Sequence, residues 1–302
     1  DIFAELRALG VETIGQIYIH EHHVSHAASA FYPSPFAEAA VITLDGVGEW
    51  ATASIGVGEG HRMQMLHEMK FPHSLGLLYS TFTGYAGFKV NSGEYKLMGL
   101  APYGEPVYRD RILDHLMDLK PDGSFRLNME YFGFLDGLVM TNQRFERLFD
   151  GPPRQSGSPI TQREMNLARS IQEVTEEIIL RIARHARVLT RKKYLCLAGG
   201  VTLNCVANGK LLKEKIFDDI WIQPAAGDAG GALGAALATW HAVLDKPRPQ
   251  FRTGDLMQGS FLGPKFDEDE IQDFLDARGY QYRKLKGDAW AETIADALKD
   301  QA

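Results

Sequence analysis

Two short apolar runs in the second half of the chain, at 194–198 and 220–223, each end in a glycine-bearing turn that opens a helix. Gly199-Gly200 follows the first; Ala226-Gly227-Asp228 follows the second and leads into an alanine-rich stretch over 229–243. Strand, tight turn and helix in that order predict an α/β fold, because parallel strands need helical crossovers that cover the faces of their sheet. A long helix is expected before them over 161–189, where Ile171, Val174, Ile178, Ile182 and Ala186 recur at helical spacing.

The first third reads differently. Runs at 39–44, 50–57 and 62–69 are separated by the turn sequences Asp45-Gly46-Val47-Gly48 and Gly58-Glu59-Gly60, which predicts a three-stranded antiparallel meander. Helices are expected over 21–32, stopped by Pro33 and Pro35, and over 74–85, and the β-branched run at 13–19 reads as a strand. The chain is therefore divided into a first lobe at 1–104, an insertion at 105–163, a second α/β lobe at 164–250 and a C-terminal extension at 251–302 with a helix over 268–278.

At 302 residues the length suits one large domain or two lobes. A formal charge of −7, with no block of Lys or Arg, argues against nucleic acid as a main partner. No apolar run reaches the roughly 18 residues of a membrane span. Cys196 and Cys205 stand in apolar settings without metal-knuckle spacing and read as reduced, buried thiols in a cytoplasmic protein. The start at Asp1, without an initiator Met, reads as a piece of a longer protein.

His22 and His26 are four apart, so on a helix both rings share one face, with Cβ atoms about 5–6 Å apart, as two ligands of one ion require. Two such histidines are commonly hydrogen-bonded core residues instead; His20 and His23 lie off that face. Asp45 follows a fully apolar strand, where α/β sheets build their binding sites, although Asp-Gly is also a hairpin turn. Asp228 suits a helix N-cap, yet Gly227, Gly230 and Gly231 around it exceed what a cap needs and leave room for a ligand close to backbone. Two imidazoles and two carboxylates suit Fe(II) first, with Mn(II) or Zn(II) as alternatives. Gly199 and Gly200 free backbone amides at a strand end for a ribose or phosphate, and Asn204 caps the following helix or contacts that nucleotide.

Four blocks together resemble a known family: His22-His23-Val24-Ser25-His26-Ala27-Ala28-Ser29-Ala30-Phe31, Leu44-Asp45-Gly46-Val47-Gly48-Glu49-Trp50, Gly93-Glu94-Tyr95-Lys96-Leu97-Met98-Gly99-Leu100-Ala101-Pro102-Tyr103-Gly104 and Gly199-Gly200-Val201-Thr202-Leu203-Asn204-Cys205. They are similar to the O-carbamoyltransferases of the nodulation-protein and cephalosporin-biosynthesis type (NodU/CmcH). The resemblance implies an actin-like ATPase (ribonuclease H-like) fold, two lobes with mixed sheets flanked by helices. It implies carbamoyl phosphate and ATP, with Mg, as precursors of a carbamoyl adenylate made in a separate C-terminal domain. The carbamoyl group then passes to a hydroxyl of a small molecule or sugar, with the 105–163 insertion as acceptor selector. On this reading His22, His26, Asp45 and Asp228 hold the metal, and Gly199, Gly200 and Asn204 hold the adenylate, beside Gly230 and Gly231. Glu94 and Lys96, in a glycine-flanked loop, contact substrate or form a surface ion pair. The family's catalytic Asp and His fall upstream of residue 1, so the chain alone is expected to be catalytically incomplete. Its missing domain and a second copy in a homodimer are the expected protein partners. The rival readings are a relative of the enzymes that form threonylcarbamoyl-adenosine on tRNA, which the acidic charge disfavours, and a non-catalytic metal- and nucleotide-binding scaffold.

Overall fold

The computed structural model describes residues 2–11, 15–135, 137–249 and 254–299. Two compact units separate at residue 258: unit 1 runs to Gln258 and unit 2 covers Gly259–Ala302.

Unit 1 is built on a mixed five-stranded sheet. The strands are β1 (Glu38–Gly48), β2 (Ala51–Glu59), β3 (Arg62–Lys70), β6 (Tyr194–Ala198) and β7 (Asp219–Ile222), in the order β3-β2-β1-β6-β7. The first three form the expected antiparallel meander, while β6 and β7 run parallel to β1. β1 is central, and its residues from Ala39 to Leu44 are buried without alternation, as a strand covered on both faces must be. A small hairpin, β4 (Met117–Leu119) with β5 (Phe125–Leu127), stands apart from this sheet.

Helices cover both faces. After α1 (Ile2–Ala8), α2 (His22–Phe31) buries Ala27, Ala28, Ala30 and Phe31 against Val41, Cys196 and Ala198. The other face packs α3 (Leu75–Tyr85), α4 (Glu94–Leu100) and the 29-residue α7 (Gln162–Thr190) around Ile42, Leu44, Leu195 and Leu197. Between them run α5 (Arg109–Arg111), continued by a π-turn, and α6 (Gln143–Leu148), whose Phe145 packs on Phe82 and Tyr85. Thr161 and Glu164 close a reciprocal capping box at the start of α7. Helix α8 (Cys205–Lys213) follows β6, and α9 (Ala229–Ala238) follows β7, lying so close to α2 that a Cβ on Gly234 would stand 1.8 Å from the Ser25 carbonyl oxygen. Unit 2 holds α10 (Glu268–Ala277), capped by Asp267 and Glu270, and α11 (Ala289–Lys299). No described helix is long and apolar enough to cross a membrane.

Three expectations are corrected. Residues 15–19 form no strand; Ile19 is 89% exposed, and β-branched residues favour a strand only where a pleated surface receives them. Thr13 and Ile14 of that run, and the boundary drawn at 250/251, lie outside the described residues. Glu94 and Lys96 sit on α4 rather than in a loop, because Gly93 serves as its N-cap and Leu97 anchors it in the core. Cys205, the first residue of α8, is exposed rather than buried, with its sulfur 3.9 Å from that of Met98; Cys196 is buried in β6.

Candidate metal centre

Helix α2 begins at His22 because Glu21 is still extended, and one turn later His26 follows on the same face. The two rings meet edge to face with centroids 4.6 Å apart. Below them lies Asp45, at the point where β1 loses its register with β2 between Leu44 and Gly48. A bulge of this kind re-aims side chains. Asp45 Oδ1 accepts the Gly200 backbone N–H at 3.1 Å, which leaves Oδ2 toward the histidines. Asp228 stands at the N-cap position of α9 but its carboxylate caps nothing there.

These four groups converge. His22 Nε2 lies 3.1 Å from Asp45 Oδ2 and 3.3 Å from Asp228 Oδ1, and His26 Nε2 lies 3.5 Å from each. All four candidate ligand atoms fall within 4.8 Å of one another, and they are the one such group of three or more among the described residues. Around a cation with bonds of about 2.0–2.2 Å, neighbouring ligand atoms stand roughly 3.0–3.5 Å apart, so the spacing fits a single ion. His26 supplies an independent sign. It is 1% exposed, and neither ring nitrogen has a hydrogen-bond partner. Burial opposes ionisation of Asp45, but the neighbouring His26 imidazole and the backbone amides of Gly200 and Gly46 outweigh it and hold the carboxyl well below the usual range. A permanently ionised carboxylate is the form a metal takes.

The two off-face histidines have hydroxyl partners. His20 Nε2 is 2.7 Å from Thr239 Oγ1. His23 is buried against Thr43 and Ser54, and burial lowers its pKa to about 4.

A cleft of about 650 Å³ opens at the cluster, lined by Asp45 and Asp228 together with Gly200, Asn204 and Glu94. Two of the remaining glycines answer to packing. Gly199, at φ +94°, would place a Cβ 2.2 Å from the Leu44 carbonyl oxygen, and Gly230 one 2.1 Å from that of Ala225. Gly231 does not line the cleft and has no close neighbour. Asn204 caps α8 by accepting the Ala207 N–H and exchanges two hydrogen bonds with the Gln172 amide. Gln172 in turn accepts the Tyr79 hydroxyl proton and donates to Glu176, whose other oxygen takes Lys210. That buried chain beneath the cleft went unread in the sequence, because α7 shows Gln172 and Glu176 only as polar interruptions of an apolar stripe. Glu94 Oε1 accepts the Ser80 hydroxyl and the Asn91 N–H. Lys96 points elsewhere, over the Tyr95 ring.

Residues 2–237 match the sequence profile of the family described as carbamoyltransferase N-terminus. An uncharacterized Synechocystis protein, sll1178, is 59% identical over 90% of this chain and 44% of its own length. Nodulation protein NolNO of Sinorhizobium fredii is 40% identical over 93% of this chain and 39% of its own. The chain thus spans less than half the length of these relatives. Among solved structures, HypF of T. kodakarensis superposes with a TM-score of 0.41 at 12% identity, over 80% of this chain and 39% of that one.

Proposed function

The chain belongs to the carbamoyltransferase family, through its N-terminal part, and from that premise we propose that it is the transfer half of an O-carbamoyltransferase. It receives a carbamoyl group from carbamoyl adenylate, formed from carbamoyl phosphate and ATP with Mg in a part of the protein outside this chain, and hands it to a hydroxyl of a small molecule or sugar. The observation that carries this reading is the convergence of His22, His26, Asp45 and Asp228 at the rim of the 650 Å³ cleft.

The four side chains would hold one divalent cation, Fe(II) first and Mn(II) or Zn(II) as alternatives. When bound, the cation supplies a Lewis acid for the carbamoyl oxygen, whose carbon is a poor electrophile because nitrogen donates into it. Gly200 and Asn204 line the adenylate side. There the Gly200 N–H orients Asp45, and the Asn204–Gln172 pair fixes the floor. Glu94 lines the same cleft with one oxygen committed to Ser80 and Asn91, and its carboxylate would accept a hydrogen bond from the incoming hydroxyl. The strand order supports an actin-like core, since a three-stranded meander continued by two parallel strands is what such a lobe uses.

Protein purified without oxygen is expected to carry one equivalent of iron, and His22→Ala less than a tenth of that. A full equivalent in the variant rejects the site. Binding of a non-hydrolysable carbamoyl-adenylate analogue to the metal-loaded chain tests the transfer reading separately; indifference to adenine nucleotides favours a scaffold.

A further inference from the structure

The buried amide chain beneath the cleft has a direction, and its two ends set that direction independently. At one end the Glu176 carboxylate, ion-paired with Lys210 at 3.1 Å, can only accept hydrogen bonds. It takes Gln172 Nε2 at 3.0 Å, so Gln172 must turn its NH2 toward Glu176. That leaves Gln172 Oε1 to accept the Tyr79 hydroxyl at 2.9 Å. Burial pushes the Tyr79 hydroxyl above the ordinary tyrosine range, so it keeps the proton it donates. At the other end the Ala207 backbone N–H can only donate, and it holds Asn204 Oδ1 at 3.0 Å.

The two constraints agree. Gln172 and Asn204 exchange a reciprocal pair, Nε2 to Oδ1 at 3.0 Å and Nδ2 to Oε1 at 2.9 Å. A flip of either amide alone would set oxygen against oxygen and nitrogen against nitrogen. Gln172, 1% exposed, thereby uses both of its N–H groups and both lone pairs of its oxygen. Asn204 uses both lone pairs of Oδ1 and one N–H of Nδ2, and its backbone N–H goes to the Val201 carbonyl. Asn204 also lines the cleft. The hydrogen-bonding capacity left to its side chain there is a single donor, the second Nδ2 N–H.

We propose that Gln172 is a positioning residue which locks Asn204 as a donor, so that a ligand in the cleft must present a hydrogen-bond acceptor at this point: a hydroxyl oxygen, a ring nitrogen or a phosphoryl oxygen. Glu176 and Lys210 hold the lock from positions that do not line the cleft. An Asn204 free to turn would offer its carbonyl as readily as its N–H, and the discrimination would be lost. That the ligand is an adenylate rests on the transfer reading; the orientation of Asn204 does not.

The test is a double-mutant cycle, read by calorimetric binding of the non-hydrolysable carbamoyl-adenylate analogue to the metal-loaded full chain. Gln172→Met keeps the length of the side chain, removes the pairing and is expected to weaken binding about tenfold, as loss of one hydrogen bond does. Asn204→Ala is expected to weaken it by about as much. Adding Gln172→Met to Asn204→Ala is expected to change it by less than about twofold. Equal weakening by Gln172→Met in both backgrounds would overturn the proposal, because Gln172 would then act on the cleft without Asn204. A second readout needs neither nucleotide nor a Gln172 variant. In wild type labelled with 15N-asparagine, the Asn204 side-chain amide is expected to exchange its protons with solvent at least about tenfold more slowly than that of the exposed Asn91. Equal exchange would reveal a freely turning amide and reject the lock. A wild type that binds no analogue yet keeps this protection would sink the transfer reading and leave the lock standing.

Discussion

A buried imidazole with no hydrogen bond to either nitrogen costs about 1–3 kcal/mol unless something satisfies it, and His26 is in that state. His22, one turn earlier, is positioned by what is missing beside it. A Cβ on Gly48 would lie 2.2 Å from its ring and 2.7 Å from its own Cβ, so no small rotation relieves the clash. Gly48→Ala is therefore expected to displace His22 and weaken metal binding at least tenfold, although Gly48 is no ligand. An affinity within twofold of wild type in a metal-competition titration would refute this. The spacing of His22 and His26 was legible because helical periodicity alone fixes a shared face. Asp228 was readable only as a cap with too many glycines, and that surplus was partly misleading. Gly199 and Gly230 answer to the backbone of Leu44 and Ala225, a close approach that no local pattern encodes.

Among the elements, the contact of α2 with α9 decides whether the cluster exists. The histidines ride on α2, Asp228 on the first turn of α9, and Gly234 lets the two backbones meet. Gly234→Ala is expected to cost about 2 kcal/mol of stability, as overpacking of a close contact does, and to lower metal affinity by moving one ligand away from two others. Denaturant unfolding and metal titration read the two effects; a stable variant with wild-type affinity would show that the contact is slack. Elements with a strong period were legible to within a residue or two, such as the α7 stripe from Ile171 to Ala186 and the meander. The run at 13–19 was over-read because its composition favours a strand, while only a neighbouring strand can make one. A bulge in β3, where Gly56 pairs with Met65 but Ile55 with His67, was invisible for the opposite reason. The extra residue, Leu66, alters no composition, yet it reverses the face of His67.

At the scale of the whole molecule the two thiols report on unit 1 from opposite sides. Burial pushes the Cys196 thiol up to about 12, while Cys205 is exposed. One equivalent of a thiol reagent is expected to react at pH 8 in the native protein and two in denaturant. Rapid reaction of both under native conditions would show that β6 is not closed over. The metal cluster has a similar reach. Three of its side chains come from the first strand and the helix before it, and the fourth from a helix laid down after most of unit 1 has been traversed. A ligand that binds only the folded chain adds about 2.7 kcal/mol at a hundred times its dissociation constant. Loading the chain with iron is therefore expected to raise its melting temperature by several degrees, and a chelator to reverse the rise; an unmoved transition would contradict it. A cation held there would work as a clasp, fastening the opening of the chain to its late helix, and its removal would loosen the seam between them before any chemistry is lost.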